Sequence, residues 1–568
     1  MGRVGFDFGI QNVTEADLEQ KNQVLDMWSG EILSSFIYNG SSVSVKTWAD
    51  PDSSTVAISV SSTLLQTGLG LFIDFPYPDH EKFNAPFVGV FNRTFLHTTA
   101  LTQATPNLAM ITHNLDETTY VITISSASPF NITRPSPLSH RHQLLSPTSQ
   151  LNLTITFSPA LITPPSFDLI PSSSTTFWSN FWSTGAFIDL SRTTNPNATE
   201  LQRRILTSLY LTTLNSASSL PPQESGLVNN GWYGKFHLEM TLWHFLPFAR
   251  WNHFSLFTRS IPSVYNRFLP SSIARANEQG YAGARWGKMS DPEGRSAPGE
   301  INSLLIWQQP HVMYFAETEY RAFSNGTTLQ KWEGLIEKTA EWMADFAWWD
   351  PQEKRYVLGP PLYPVSENTN PNATVNPTFE VAYWRFGLDV AVEWKKRMGK
   401  AVPDKWEDVR QKLAKLPVVD GTYAVYEGIE GMWTREETTW DHPAMAGIYG
   451  LLPPTEGVDV GVVRKTAGRI RELWRLEESY GWDFAMLAMN ELRLGNVEQA
   501  VEYLLHPVWQ FDDAGYPIGG SRVPTPYFPN SASLLVAVAM MAGGWDGSEG
   551  KHFPKDWVVD VEGFTPAL

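Results

Sequence analysis

The stretch LQKWEGLIEKTAEWMADFAWW, residues 329–349, decides the structural class of the larger part of the chain. Its apolar side chains recur at steps of three and four residues, which gives an α-helix one apolar face. They are Leu329, Trp332, Leu335, Ile336, Met343 and Phe346. Similar segments recur after about residue 230, separated by loops rich in Gly and Pro. Because no strand pattern separates these segments, the sequence predicts an all-helical toroid or bundle and disfavours a parallel α/β barrel.

The first 190 residues show a different period. Short runs such as TYVITISSASPFNIT and LNLTITFSP alternate apolar and polar residues between turn residues, which predicts an antiparallel β-sandwich. The segment LQRRILTSLYLTTLNSASSL predicts a linker helix. We therefore predict a sandwich over residues 1–190, a linker with a helix over 191–230, and a helical domain with a C-terminal tail over 231–568.

Composition limits the partners of the chain. It has 568 residues and a formal net charge of -17, and it lacks the clustered Lys and Arg that grip nucleic acid or anionic membranes. We therefore expect no nucleic acid and no membrane as partner, and a neutral ligand. There is no cysteine, which excludes disulfides and thiolate metal sites. Composition leaves the oligomeric state open.

Eight Asn-x-Ser/Thr sequons favour a secreted protein that carries N-linked glycans. They are at Asn12, Asn39, Asn92, Asn131, Asn152, Asn197, Asn325 and Asn372. An accidental origin in a region rich in Asn, Ser and Thr is the alternative. No apolar signal segment opens the sequence, so we expect that an export signal has been removed.

Several classes of enzyme lack their motifs here. HExxH, GxSxG and the Walker-type GxxxxGK[ST] are absent, and no convincing dinucleotide fingerprint is present. What remains are carboxylates among aromatic residues. That combination suits sugar chemistry, because two carboxyl groups can carry the protons while Trp and Tyr faces stack on the sugar ring. We expect neither a metal nor a cofactor.

Four short sequence motifs, FHLEM, RWGKM, IWQQPH and GWD, resemble motifs of the family 65 glycoside hydrolases and phosphorylases and of the related six-hairpin glycosidases. The resemblance covers roughly residues 231–546 and depends on the order and spacing of the motifs. It implies a β-sandwich, a linker helix and an (α/α)6 barrel that forms the catalytic domain. The wide end of that barrel would hold the sugar.

The resemblance places the general acid at Glu367, in GPPLYPVSENTN. This sequence departs from the family pattern, because Pro361-Leu362 stand where the family has an acidic pair after Gly-Pro. An exposed loop glutamate is the alternative. For the base, Asp483 in GWDFAM is the first candidate, although Asp is also a preferred helix N-cap. Asp512 and Asp513 in QFDDAGYP are the runners-up.

The same motifs supply a candidate sugar-binding set. It comprises His237, Glu239, Trp243, Arg285, Trp286, Lys288, Gln308, Gln309, His311, Asp441 and His442. The alternative for each member is a satisfied buried polar group or a core aromatic, and it is the stronger interpretation for Trp243 and His442 taken singly.

These observations lead to three hypotheses. The first is an inverting, exo-acting glycoside hydrolase on α-linked, glucosyl-terminated oligosaccharides or glycans, with its carboxyl groups about 6.5–9.5 Å apart. The second is a disaccharide phosphorylase that holds phosphate through Ser521 and Arg522. The third is a non-catalytic carbohydrate-binding protein that keeps Trp286 and Glu239.

Overall fold

The structure is a computed structural model of the whole chain. It describes residues 2–9, 12–78, 89–220, 222–228, 231–297, 299–518, 523 and 526–568. These residues form two compact units; the first ends at Thr184 and the second spans Gly185–Leu568.

The first unit is built from two antiparallel sheets. Its strands are β1 (Arg3–Asp7), β2 (Glu19–Asp26), β3 (Glu31–Tyr38), β4 (Ser41–Ala49), β5 (Thr55–Ser61), β6 (Gly70–Asp74), β7 (His97–Thr105), β8 (Leu108–Leu115), β9 (Thr118–Ser126), β10 (Asn131–Thr133), β11 (Arg141–Leu145) and β12 (Gln150–Ser158). The larger sheet has the order β2-β3-β4-β5-β12-β9-β8-β7, and the smaller has the order β1-β6-β11-β10.

Alternation along the strands explains the packing of the sheets. In β12, Leu151, Leu153 and Ile155 are buried and pair with Val60, Ile58 and Val56 of β5. Because side chains alternate between the two faces of a strand, these three lie on one face. Together with side chains from the smaller sheet they form the core between the two layers.

One helix of the first unit was not expected from the sequence. It is α1 (Ile170–Thr184), with the sequence IPSSSTTFWSNFWST. Its Ser174 hydroxyl donates to the Ser29 carbonyl at 2.9 Å, and the Trp182 indole donates to the Met27 carbonyl at 2.6 Å. The helix therefore closes the sandwich rather than extending the sheets.

The second unit is helical. Its helices are α2 (Pro196–Ser216), α3 (Thr241–Arg250), α4 (Phe254–Glu278), α5 (Glu300–Leu304), α6 (His311–Ala322), α7 (Gly326–Phe346), α8 (Thr378–Arg397), α9 (Asp404–Lys412), α10 (Val460–Leu473), α11 (Gly481–Leu494), α12 (Val497–Leu504) and α13 (Phe528–Gly543). Among the described residues, none of these helices combines the length and apolar character needed to cross a bilayer. The sandwich-then-helices order predicted from the sequence is confirmed.

Short strands join the helices. They are β13 (Phe187–Asp189), β14 (Phe236–His237), β15 (Met289–Ser290), β16 (Trp348–Asp350), β17 (Arg355–Val357), β18 (Val418–Val419), β19 (Thr422–Tyr423), β20 (Gln510–Phe511), β21 (Pro517–Ile518), β22 (Gly544–Trp545), β23 (Ser548–Glu549) and β24 (Asp560–Glu562). Each pairs with one other strand of this set.

The helical periods predicted from the sequence correspond to buried faces. In α7, Trp332 and Met343 are fully buried, and the Asn325 side chain caps the helix by accepting from the Thr328 amide at 3.0 Å. Every residue of α13 is buried. A helix that is apolar on all sides belongs in the interior of a protein, and α13 packs against α2, α3 and α11.

Candidate active site

A cavity of about 870 Å³ opens in the second unit. The described residues on its wall include three carboxylates, Glu224, Glu239 and Glu367, and two lysines, Lys235 and Lys288. The aromatic side chains on the wall are Trp232, Tyr233, Trp307, Tyr363, His442, Tyr480, Trp482 and Tyr527. Carboxylates among aromatic faces are the combination that sugar chemistry uses.

A short antiparallel strand pair brings two of the sequence motifs together. Strand β14 pairs with β15, so that His237 lies opposite Met289, and the Leu238 amide donates to the Lys288 carbonyl at 2.8 Å. The Lys288 ammonium consequently lies 3.2 Å from Glu239 Oε1. The motifs FHLEM and RWGKM therefore contribute opposite charges to one spot on the wall.

Glu239 is a permanent carboxylate. The Trp307 indole donates to its Oε2 at 3.2 Å, and His237 Nδ1 lies 3.6 Å from its Oε1. Burial alone would raise its pKa, but the positive charge of Lys288 and the contact with His237 lower the pKa to about 2. Both of its oxygens are engaged, which suits a role in holding cations or hydroxyl groups in place.

Glu367 is a carboxyl group on the cavity wall whose pKa is raised. Its side chain is 26% exposed, lines the cavity and pairs with the Lys288 ammonium. Burial raises its pKa, in opposition to the charge of Lys288. The structure thus places this predicted residue on the cavity wall, and an exposed position in open solvent does not describe it.

The backbone around Glu367 is held at three consecutive residues. The Val365 amide donates to Glu380 Oε1 at 2.7 Å, the Ser366 hydroxyl to the His442 carbonyl at 2.6 Å, and the Glu367 amide to Asp441 Oδ1 at 3.1 Å. Glu380 is buried, and burial raises its pKa to about 8. Asp441, predicted as a binding residue, therefore supports the loop that carries Glu367.

Asp483 lies behind the wall. Its side chain is fully buried, its Oδ1 accepts from His442 Nδ1 at 2.8 Å, and its Oδ2 accepts from the Tyr480 amide at 3.0 Å. Both carboxylate oxygens of Asp483 accept hydrogen bonds and neither is exposed. The geometry therefore does not support Asp483 as a base that takes a proton directly from a water in the cavity. The N-cap of α11 is Tyr480 rather than Asp483, which lies three residues further along and accepts from the Tyr480 amide, so the N-cap role considered for Asp483 is not observed.

His442 stands between Asp483 and the cavity. Its ring stacks on Trp482 at a centroid distance of 4.2 Å. Burial would lower its pKa, but the carboxylates of Asp483 and Asp441 raise the pKa to about 9. At neutral pH the cavity wall therefore carries an imidazolium at this position.

The two runner-up bases lie elsewhere. Asp512 and Asp513 are exposed, and neither is among the described residues that line the cavity. The Asp512 carboxylate accepts from the Tyr516 amide at 2.8 Å, as in a turn. Ser521 and Arg522, considered for phosphate, lie outside the described residues.

Sequence reasoning missed Glu224. It is 2% exposed, lines the cavity, and holds its Oε1 at 3.1 Å from His237 Nδ1. Its Oε2 has no hydrogen-bond partner among the described residues. The available signal was weak: Glu224 is the one acidic residue in the sequence between Glu200 and Glu239. His237, fully buried, contacts both carboxylates from behind.

Several other predicted binding residues support the wall from inside. Trp243 is fully buried and packs against Trp482 at 5.7 Å. His311 Nε2 lies 2.9 Å from the Glu239 carbonyl, and its Nδ1 lies 2.8 Å from the Tyr383 hydroxyl. These contacts match the alternative of satisfied, buried groups.

The RWGKM and IWQQPH motifs hold each other through the backbone. The Gln308 and Gln309 amides donate to the Trp286 carbonyl at 3.1 and 2.7 Å, and the Trp286 indole donates to Thr339 Oγ1 at 3.0 Å. Arg285 donates to the Leu305 carbonyl at 2.5 Å and lines a different, smaller cavity. Of the predicted binding set, Glu239, Lys288 and His442 are on the described wall of the large cavity.

Comparison with known proteins identifies the fold. No protein-family model and no curated protein matches the chain. Among solved structures, one from the human microbiome, assigned as a kojibiose phosphorylase, has a TM-score of 0.65 at 11% identity, over 98% of this chain and 81% of its own. A bacterial glucoamylase in complex with acarbose has a TM-score of 0.58 at 9% identity, over 95% and 88%.

At these identities the likeness shows the fold. The chain shares with these structures the architecture that the sequence motifs predicted, an N-terminal β-sandwich followed by a helical domain. The structures that share it include a glycoside hydrolase and a phosphorylase. What this chain does is argued from its own site.

Proposed function

We propose that the chain is a carbohydrate-active enzyme, an inverting, exo-acting glycoside hydrolase on α-linked, glucosyl-terminated oligosaccharides or glycans. One observation carries the proposal. A carboxyl group with a raised pKa, Glu367, and a carboxylate oxygen without a described partner, Glu224 Oε2, belong to the wall of the same aromatic-lined cavity. An inverting hydrolase needs one protonated and one bare carboxyl group on the same cavity.

Glu367 takes the role of general acid. Its raised pKa keeps a fraction of the side chain protonated at mildly acidic pH, and that proton passes to the glycosidic oxygen as the bond to the sugar breaks. Lys288 can then pair with the carboxylate that forms, as it does in the structure. Without this cation, the anion left on Glu367 would be costly in a buried site.

Glu224 is better placed than Asp483 to be the base. Its Oε1 faces His237, which leaves Oε2 to accept a proton from water. Contacts from Glu224 to His237, Glu239, Lys288 and Glu367 follow one another without a break. The separation of about 6.5–9.5 Å expected for inversion then applies to Glu224 and Glu367. Asp483 acts through His442, whose imidazolium can donate to a sugar hydroxyl.

A disaccharide phosphorylase is the second candidate. The imidazolium of His442 and the side chain of Lys235, both on the wall, would suit a phosphate anion. In that reaction phosphate replaces water as nucleophile, and no base is required. A non-catalytic binding protein, the third candidate, would need no proton on Glu367.

We also propose that the protein is secreted and N-glycosylated. Seven of the eight sequon asparagines are exposed, as glycan attachment requires, and Asn152 is half-buried. The Asn152 Oδ1 accepts from the Ser59 hydroxyl at 2.8 Å, so we expect it to be the least modified. Mass spectrometry of the natively produced protein tests this; unmodified asparagines at all eight positions would contradict it.

The deciding experiment is a screen of α-linked glucose disaccharides, with and without phosphate, in which the anomer of the product is resolved. The hydrolase proposal expects β-glucose without phosphate. A sugar phosphate formed only when phosphate is present would establish the phosphorylase instead. Binding without turnover of any sugar would leave the carbohydrate-binding protein.

A further inference from the structure

A second, smaller cavity lies in the helical unit and is not used by the proposed reaction. Its volume is about 270 Å³, less than a third of that of the first cavity. Four of the twelve described residues on its wall are aromatic, namely Tyr281, Trp342, Phe346 and Trp348. Arg285, which the sequence analysis assigned to sugar binding, lies on this wall.

The aromatic side chains form a fixed, partly open platform. Trp342 stacks on Phe346 at 4.8 Å, and Tyr281 lies 5.6 Å from Phe346. Trp348 is 47% exposed, although its indole is held by donation to the Gly359 carbonyl at 2.9 Å. An exposed aromatic ring with a fixed orientation loses little freedom when a ligand stacks on it.

The charges of the wall point to a neutral ligand. The Arg285 guanidinium is spent on carbonyl groups, those of Trp286, Ser303 and Leu305, at 3.2, 3.1 and 2.5 Å. No carboxylate is among the described residues that line this cavity. Arg285 is therefore not free to pair with an anion.

One buried donor in this wall has no assigned partner. Trp342 is fully buried, and its Nε1 has no hydrogen-bond partner among the described residues. This nitrogen has no accessible surface, so a ligand in the cavity would instead meet the exposed side chain of Gln279 on the same wall, whose amide offers both donors and an acceptor. These properties of the wall favour a ligand that has an apolar face and hydroxyl groups.

We propose that the second cavity binds one pyranose ring of a neutral oligosaccharide, separately from the first cavity. A pyranose offers both features, an apolar ring face for Trp348 and hydroxyl groups for the Gln279 amide. The cavity is too small for more than a short end of such a chain. The choice of a neutral glycan as the ligand is supported by the proposed function and extends it.

The second cavity also shares its wall segments with the first. Leu304 lines the second cavity, and its carbonyl accepts from the amide of Tyr363, which lines the first, at 3.0 Å. Pro361 lines the second cavity, and Glu367 follows it on the same loop. A sugar in the second cavity therefore restrains the segment that carries the proposed acid.

The test uses calorimetric titration with maltose, an α-linked glucose disaccharide, in a Glu367→Gln background that limits turnover. We expect two binding events. Trp348→Ala should weaken one of them by about tenfold or more, the loss expected for an aromatic stacking partner. Trp349→Ala is the matched control, because that ring is on the same strand and 39% exposed but packs on Tyr356. It should leave both events unchanged.

A single binding event, or two events that Trp348→Ala leaves intact, would overturn the proposal. If Trp348→Ala does not fold, Tyr281→Ala and a crystal of the unaltered protein soaked in maltose provide the answer. Density in the first cavity alone would also overturn it. Failure of the proposed function would give a different result. The protein with Glu367 unaltered would then turn over no sugar, while the binding event that Trp348→Ala weakens would persist.

Discussion

Two buried polar clusters of this molecule hold histidine in opposite states. In the sandwich, His97, His113, His140 and His142 lie together; His97 Nδ1 is 2.7 Å from His113 Nε2, and the His97 and His140 rings are 3.7 Å apart. Burial and the neighbouring imidazoles lower the pKa of His97 to about 4 and that of His113 to about 3. These imidazoles are neutral at physiological pH.

In the cavity of the helical unit, His442 is equally buried, but its neighbours are carboxylates. Its pKa rises to about 9. The difference is not one between the two units as a whole, because His311 of the helical unit, bonded to a carbonyl and a hydroxyl, has its pKa lowered by burial to about 3. Burial removes charge, and an adjacent opposite charge restores it.

The contrast separates a structural cluster from one that can act chemically. Imidazoles that hydrogen-bond to each other, to hydroxyls and to a backbone carbonyl satisfy a core. A site in which Lys288, Glu239 and His442 keep charges beside a cavity can stabilise charge that develops during a reaction. Substitutions that change these charges test the contrast between the two clusters.

The largest effect is expected for Glu367→Gln. The amide keeps the size of the side chain but cannot donate a proton to the leaving oxygen, so turnover of substrates with poor leaving groups should fall by about 10²–10⁴. The measurement is kcat on an α-linked disaccharide identified by the screen. Glu436→Gln, in which the carboxylate is 87% exposed, is the control and should retain full activity. Equal activity in the two variants would remove Glu367 from the mechanism.

Much of the fold could be predicted from local patterns. The buried face of α7 and the alternation of β12 are visible as periods of 3.6 and 2. Helix α1 was missed because its sequence is rich in Ser and Thr, which favour caps and turns over helix interiors. Its buried residues, Ile170, Ser174, Trp178 and Phe181, nevertheless follow helical spacing.

The sequence could predict many residues of the site, but not which of them line the cavity and which support its wall from behind. Arg285 and Lys288 are three residues apart, yet they line different cavities, because only the pairing of β14 with β15, strands distant in the sequence, fixes which residue of the motif meets Glu239. Glu224 lies in a loop with no motif and reaches the wall through tertiary packing alone. The spacing of residues in a motif indicates which side chains can take part in chemistry. Whether such a side chain lines the cavity or supports its wall depends on packing against segments that are distant in the sequence.

A second large effect concerns the charged cluster. Lys288→Met leaves Glu239 buried without its cation, and removing one partner of a buried pair costs about 3–5 kcal/mol of unfolding free energy. Denaturant unfolding followed in the helical unit measures this cost. Lys400→Met is the control, because its pair with Glu333 is half exposed and should be worth at most about 1 kcal/mol. Adding Glu239→Gln to Lys288→Met should recover part of the loss.

The sandwich cluster should make the first unit sensitive to acid. Burial lowers the folded-state pKa values of His97 and His142 to about 4, so stability is fully present above pH 6.5 and falls as the pH drops towards about 4. Each such imidazole contributes about 1.4 kcal/mol per pH unit. Hydrogen exchange of β7, β8 and β11 between pH 7 and pH 4 measures the slope. His142→Gln should reduce this slope, whereas His552→Gln should not; equal slopes would contradict the assignment.

The smallest effect is expected where His442 is made to resemble the sandwich histidines. Asp483→Asn removes the nearest carboxylate, so the pKa of His442 should fall from about 9 towards that of an ordinary imidazole. A raised pKa stabilises the protonated form below that pKa, and the support is lost as the pH rises through it. The alkaline limb of kcat/KM should therefore move to lower pH. Activity at pH 8 should fall about tenfold if the pKa of His442 drops to about 7, because only displacement below pH 8 costs a factor of ten per unit.

This variant also separates two roles for Asp483. A positioning residue that acts through His442 moves the alkaline limb and leaves activity at pH 6 nearly unchanged. If Asp483 is instead the base that takes a proton directly from water, Asp483→Asn should lower kcat by about 10²–10⁴ at every pH. Asp512→Asn, at an exposed carboxylate away from the described cavity wall, is the control for both outcomes. A uniform loss in Asp483→Asn would return the base to Asp483 and place His442 in a supporting role.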